Sequence, residues 1–319
     1  MNERDVIARL RRSATHPAAR GLLDDVALLD GLVITHDSIA EGVHFRADDP
    51  PASVGWKLMA VNLSDLAAKG ARPAGALLSL TLAGDDDWEE QFLGGTQEAA
   101  ELFGMPIIGG DTISLPAGAP RVLGLTAIGR AGSRTPDRSG ARPGDALWVV
   151  GTLGDSAAGL AMLQEDGDAT GALVDSYRRP VPRLEAGETL APHALASMDI
   201  SDGLLLDASR MAEASGCTAH IDLDQLPLSE EFIDERGSDL AARLFAATGG
   251  DDYALLFAFP PELDPFTLSL PSGTTMARVG MFVEGGAKVA LTSGGQSIPL
   301  PESLGYEHRT IASPMGDRH

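Results

Sequence analysis

The sequence predicts two α/β domains in tandem (α+β in the looser sense), each a mixed sheet with helices packed against it. Three observations carry that reading. The chain has 319 residues, 44% of them hydrophobic, enough for two ordinary cores. Short β-type runs alternate with helix-period runs in both halves. A stretch rich in Ser, Arg, Pro and Gly at 133–144 separates the halves. We set the boundary there, with domains at 1–135 and 136–319.

The elements follow in order. Residues 26–29, Asp30-Gly31 and 32–35 read as strand, tight turn and strand. Ser53 can cap a helix running to about Lys69, with Gly70 past its end and Pro73 beyond. Residues 75–82 form a strand, and 87–103 a helix closed by Gly104. A short strand at 105–108 runs into Gly109-Gly110-Asp111-Thr112, and 121–128 is a further strand. After the divider come a strand at 146–150, a helix at 156–163, a Pro-bounded segment around Pro180 and a helix near 184–195. A short strand leads into Asp199, followed by a helix at 204–214 and strands at 219–223, 253–259 and 276–283.

Composition excludes several classes of function. A formal net charge of −22 argues against nucleic-acid binding, because phosphate backbones are held by clustered Lys and Arg. Polyphosphates remain open, since metal cations can lie between them and an acidic protein. Met1-Asn2-Glu3-Arg4-Asp5 carries charge where a signal peptide needs an apolar run, and no run is long enough to span a bilayer. The single cysteine, Cys217, fits a reducing compartment, so a cytoplasmic protein without membrane partners is expected.

Acidic clusters recur at element ends beside small residues: Asp24-Asp25, His36-Asp37, Asn62 with Asp65, Gly110-Asp111, Asp199-Ile200-Ser201-Asp202 and Gly250-Asp251-Asp252-Tyr253. Each alone could be a helix cap or a solvated carboxylate. Carboxylates that converge within ~5 Å must be protonated or share cations. Oxygen donors without clustered His or Cys suit Mg²⁺ rather than zinc. Magnesium ions beside Gly-rich turns point to phosphoryl transfer. Only three lysines are present, Lys57, Lys69 and Lys288, and none follows a glycine, so there is no P-loop. A His-Arg-Asp catalytic loop is also absent from the sequence, which removes the protein-kinase reading.

In combination these motifs resemble the thiamine-monophosphate kinase family. The resemblance rests on Asp24-Asp25-Val26-Ala27, Asp37 with Glu41-Gly42-Val43-His44-Phe45, Val61-Asn62-Leu63-Ser64-Asp65-Leu66-Ala67-Ala68 and Gly109-Gly110-Asp111-Thr112 in the first half. In the second half it rests on Arg138-Ser139-Gly140-Ala141, Gly151-Thr152-Leu153-Gly154-Asp155-Ser156, Asp199-Ile200-Ser201-Asp202-Gly203 and Gly250-Asp251-Asp252-Tyr253. It implies the two-domain fold of aminoimidazole ribonucleotide synthetase, a homodimer paired through its first domains, and ATP-dependent phosphorylation of thiamine monophosphate. It also implies several Mg²⁺ ions held by Asp25, Asp37, Asp65, Asp111, Asp199 and Asp202, with Thr35 and His36 as neighbouring ligands. ATP would meet Phe103, Gly110, Asp111, Arg138 and Ser201, and thiamine monophosphate would meet His44, Asp251 and Tyr306. Catalysis would rest on Asp65, Asp111, Asp202 and Arg138.

The chain departs from the family pattern at Leu23, where Gly is usual, at His36, where Thr is usual, and at Asp251, where Glu is usual. Two rivals stand beside this reading: another ATP-using enzyme of the same superfamily, and a non-catalytic Mg-nucleotide sensor. Superfamily members that work through a cysteine fit poorly, because Cys217 lies between a predicted helix and strand as a packed thiol would.

Overall fold

The computed structural model describes residues 3–286 and 288–307. The first half runs α1 (Glu3–Leu10), β1 (Ala27–Leu29), β2 (Leu32–Ala40), α2 (Pro51–Ala68), β3 (Arg72–Leu82), α3 (Asp86–Phe103), β4 (Ile107–Ser114) and β5 (Val122–Arg130). Its five strands form one sheet in the order β1-β2-β5-β3-β4, in which only β3 and β4 are parallel.

The second half runs β6 (Ala146–Val150), α4 (Asp155–Glu165), α5 (Ala172–Arg178), α6 (Leu184–Leu190), β7 (Ala196–Ile200), α7 (Leu204–Ser215) and β8 (Thr218–Asp222). It continues through α8 (Glu230–Arg236), α9 (Leu240–Thr248), β9 (Ala254–Phe259), β10 (Met276–Val283), β11 (Lys288–Ser293) and β12 (Gln296–Ile298). The seven-stranded sheet has the order β12-β11-β8-β10-β6-β9-β7, with β11 and β8 its parallel pair. No helix among the described residues is long and apolar enough to cross a membrane.

Helix α2 holds the molecule together. From Ser53 to Ala68 every residue is buried, so it is a core helix rather than an amphipathic one. It packs on α3 in its own domain and on α6, β7 and β9 of the other. The α2–α3 contact is backbone to backbone: a Cβ on Gly95 would lie 1.9 Å from the Ala52 carbonyl oxygen, so only glycine fits.

The sequence reading needs correction at five places, the first being β2, which runs past Thr35 to Ala40 because it stays paired with β5. Helix α2 starts at Pro51, two residues before Ser53, because proline is tolerated in the first turn, and Ser53 Oγ donates to the Pro50 carbonyl instead of capping. Strand β4 does not stop at Ile108 but continues to Ser114, since the Gly-Gly-Asp-Thr run pairs in register with β3. Helix α6 ends at Leu190, and residues 191–193 form a 3₁₀ turn around Pro192. Elements α1, α5, α8, α9, β11 and β12 carry too little periodicity to be read in advance. Helix α3 ends as expected, with Gly104 left-handed and its N–H donating to the Ala100 carbonyl.

Candidate active site at the domain seam

Strand alternation decides which residues of β2 reach the interior. Thr35 and Asp37 lie two apart on the face toward α2, while His36 points the other way. Thr35 Oγ1 donates to Asp65 Oδ2 on α2, and the Asp37 N–H donates to Asn62 Oδ1 at 2.9 Å. Asn62 and Asp65, three apart on the helix, therefore both face β2. From the other domain β7 ends at Ile200 with Asp199 buried, and the Ser201-Asp202 turn leads into α7. Asp25, just before β1, completes the group.

These carboxylates feel one another. Burial, then the charges of Asp199, Asp37 and Asp25, raise Asp65 well above the ordinary carboxylate range. Asp199 is raised likewise, by burial and then by Asp25 and Asp207. Asp37 is pushed up to about 6, by desolvation first and then by Asp25. Burial works against the charge of Asp25, but Arg138 and Lys69 overcome it and hold this carboxyl below its ordinary value.

Asp25 Oδ2 is buried and accepts no hydrogen bond, an orphaned acceptor facing a cluster of like charges. That combination suits a hard divalent cation with oxygen ligands. Among the described residues no three His, Cys, Asp or Glu already stand in a metal-binding arrangement. The donors converge without closing, and Arg138, bonded to Asp25 Oδ1, supplies part of the missing positive charge.

Several supporting residues were not read from the sequence. Lys69, fully buried, bonds Asp24 Oδ1 at 2.6 Å and the Ser197 carbonyl at 2.7 Å. With Arg20 it commits Asp24 to ion pairs, and it also stands 3.9 Å from Asp25 Oδ2, the one oxygen of the pair that accepts no hydrogen bond. Asp207, wholly buried, accepts from the N–H groups of Ser201 and Asp202, and Arg210 bridges it to Asp202. Burial pushes Asp207 up to about 7 despite the Arg210 charge. Lys57, also buried, bonds Asp251 Oδ2 and the His44 carbonyl. The available signal was a lone charge inside an apolar run: Lys57 within Trp56-Lys57-Leu58-Met59, and Asp207 after three leucines.

The residues expected to meet thiamine monophosphate lie near this seam. His44 Nδ1 accepts from the Ala40 N–H, so a neutral ring carries its proton on Nε2. Asp251 sits in the left-handed region at φ +69°, with Oδ1 accepting from the Tyr253 hydroxyl. Tyr306 is 48% exposed, and its N–H donates to the Asp202 carbonyl, which seats this residue on the Ser201-Asp202 turn.

Four expected residues lie elsewhere. Both ring nitrogens of His36 face hydroxyls on the opposite side of the sheet, Thr126 and Ser38, so its side chain is not a ligand of this cluster. Gly110 and Asp111 sit on β4, separated from β2 by β3 and β5, with Asp111 opposite Ser79 and exposed. Phe103 ends α3 and packs edge-on against Trp56, away from the carboxylates. Within one chain, therefore, Gly110 and Asp111 lie on β4 apart from the carboxylate group, and Phe103 lies separately against Trp56 of α2.

The chain matches two family models, the N-terminal domain of AIR synthase related proteins over residues 23–131 and the C-terminal domain over 142–290. It is 40% identical to the thiamine-monophosphate kinase of Caulobacter vibrioides, over 96% of this chain and 90% of the relative. It is 38% identical to that of Escherichia coli K12, over 93% and 94%. A solved structure described as AaThiL complexed with AMPPCP and TMP superposes with a TM-score of 0.83 at 32% identity, covering 97% of each chain.

Proposed function

The chain belongs to the thiamine-monophosphate kinase family, and from that premise we propose that it moves the γ-phosphoryl group of ATP onto thiamine monophosphate, giving thiamine diphosphate and ADP. The observation that carries this reading is the convergence of Asp25, Asp37, Asp65 and Asp199 at the seam between the domains, with Arg138 bonded to Asp25. A likeness to a structure holding AMPPCP and TMP points the same way.

The nucleophile is a phosphate oxygen of thiamine monophosphate, largely ionised at neutral pH because its second pKa is about 6. It needs no strong base. It attacks the γ-phosphorus in line as the bond to the bridging oxygen of ADP breaks, with no phosphoenzyme between. The obstacle is repulsion between two polyanions. Mg²⁺ held by Asp25, Asp37, Asp65, Asp199 and Asp202 supplies charge neutralisation when bound. Arg138 offers a planar fork for phosphate oxygens once it leaves Asp25. Asp207 and Arg210 fix the Ser201-Asp202 turn, so Asp202 and Ser201 keep their aim. Asp65 is aimed by Thr35 and Asp37 by Asn62. His44 and Asp251 receive the thiamine end, with Tyr306 beside them.

We place the domains at 1–135 and 136–319, a boundary within the segment between β5 and β6. The working unit in this reading is a homodimer. Strand β4 exposes its whole length, with Ile107, Ile108 and Ile113 in solvent, and β1 covers only Leu32–Ile34 of β2 at the sheet's other end. A second copy joined across these edges would bring its Gly110 and Asp111 to the first copy's cluster, while Phe103 would meet ATP from the end of α3. The buried thiol Cys217 suits a cytoplasmic setting.

The deciding experiment offers thiamine monophosphate, thiamine and an aminoimidazole ribonucleotide precursor in parallel with ATP and Mg²⁺. Diphosphate formation from thiamine monophosphate alone is the expected result. Turnover of the precursor would favour a different enzyme of the fold, and binding of ATP without turnover a sensor.

A further inference from the structure

A cavity of about 520 Å³ lies between the two domains, and none of the clustered carboxylates lines it. That volume is in the range of small-molecule sites. Its walls come from the Ala71–Pro73 segment and Phe103 on one side, and from Val150, Val181, Leu184 and the 271–275 loop on the other. One charged side chain in it is anomalous. Arg183 is half-buried, its Nε is wholly buried without a partner, and its guanidinium makes no hydrogen bond or ion pair with any described residue.

Other arginines find partners: Arg138, Arg178 and Arg210 each meet a carboxylate, and Arg236, whose Nε is likewise buried without a hydrogen bond, lies over the Phe245 ring. The carboxylate whose charge Arg183 feels, Asp155, is engaged by the hydroxyls of Thr152 and Ser229. Glu188, on the cavity wall, is paired with Arg72. Burial accordingly lowers the affinity of Arg183 for its proton. A buried donor without an acceptor, on a cation without a counter-charge, is unfavourable unless something else supplies both. Gly151 lies alongside at φ +113°, where a Cβ would stand 3.5 Å from Arg183 Nε, so its lack of a side chain leaves the guanidinium approachable.

We propose that this cavity is a second ligand site, separate from the reaction centre, for a small organic anion: a phosphate or carboxylate met by Arg183, carried on an apolar body seated against Val150, Val181 and Leu184. The site joins segments of both domains, so an occupant would bear on how they sit together.

The test is equilibrium binding to the full-length protein, by calorimetry and ligand-observed NMR in metal-free buffer, using phenyl phosphate, benzoate and inorganic phosphate as probes. Phenyl phosphate or benzoate should bind more tightly than inorganic phosphate, and the better of the two identifies the anion as phosphate or carboxylate. Arg183→Met should weaken the better probe about tenfold or more. Should that variant fail to fold, Val181→Trp, at a half-exposed wall position, should block the probe while preserving the melt. Failure of every probe to bind, equal binding to the wild type and the folded variants, or displacement of the probe by ADP would each overturn the proposal. The last result would make the cavity part of the nucleotide site. None of these outcomes bears on whether thiamine monophosphate is the substrate.

Discussion

Lys57 Nζ lies 2.8 Å from Asp251 Oδ2, an ion pair that joins α2 of the first domain to the turn before β9 of the second. The same ammonium donates to the His44 carbonyl at 3.0 Å and sits 4.1 Å above the Tyr177 ring. Tyr177 in turn donates to Asp49, which Arg178 also holds. Both residues assigned to the thiamine end therefore depend on one buried lysine.

Lys57→Met should raise the KM for thiamine monophosphate by about 10- to 150-fold, as loss of a charged hydrogen bond does, and leave the KM for ATP nearly unchanged. Asp251→Ala should behave alike, because the interaction serves binding in ground and transition states equally. Stranding Asp251 also lowers stability, so adding Asp251→Asn to Lys57→Met should recover part of the lost melting temperature. Steady-state kinetics with each substrate varied, beside thermal melts, checks this. Equal rises in both KM values would reduce the pair to scaffolding.

The carboxylate cluster makes stability depend on pH in a defined direction. Asp37, at about 6, and Asp207, at about 7, hold protons more tightly when folded than an unfolded aspartate, whose pKa is about 3.9. Each therefore favours the folded state at low pH and loses that contribution as pH rises through its folded value. Without metal, the melting temperature should fall between about pH 4 and pH 7. Saturating Mg²⁺ should flatten the slope. Asp65→Asn removes one crowded charge, so the metal-free variant should melt no lower than wild type at neutral pH while losing phosphoryl transfer. A folded Asp65→Asn protein with full activity at low Mg²⁺ would remove Asp65 from the ligand set.

Arg138 is bonded to Asp25 and has its Nε buried without a partner. Arg138→Lys keeps the charge and loses the fork, so the KM for ATP should rise more than that for thiamine monophosphate. An unchanged ATP KM would leave Arg138 as a neutraliser of Asp25 only.

The exposed position of Asp111 on β4 leads to a mixing experiment. Asp65→Asn and Asp111→Asn should each be inactive as pure homodimers. Mixed dimers would carry one doubly damaged site and one intact site, restoring activity to roughly a quarter of wild type after random exchange. No recovery would place Asp111 in its own chain's site or outside catalysis. Ile108→Lys should shift the protein toward monomer in sedimentation, because it charges the exposed edge.

What could be read in advance was whatever local order encodes. The positions of Asp65 and Asn62 on one helix face followed from spacing three, and Gly104 announced the end of α3. The inward face of Thr35 and Asp37 over His36 was also within reach of strand alternation, had β2 been extended past Thr35. Other features depend on contacts far apart in sequence. Lys57 and Asp251 are 194 residues apart, and Lys69 and Ser197 are 128 apart, so no window of sequence could pair them. The extension of β4 through Gly109-Gly110-Asp111-Thr112 ran against local propensity and is imposed by its pairing with β3.

Burial of Lys57 and Lys69 within α2 has a practical corollary. Lys288 is the one other lysine in the sequence, and it is exposed. Among the lysines, amine-directed reagents should therefore modify the native protein at Lys288, sparing the two that bridge the halves. Acylation at 57 or 69, followed by peptide mass mapping, then becomes a clock for the parting of the two halves, since each ammonium must release an acceptor from the opposite half before it can react.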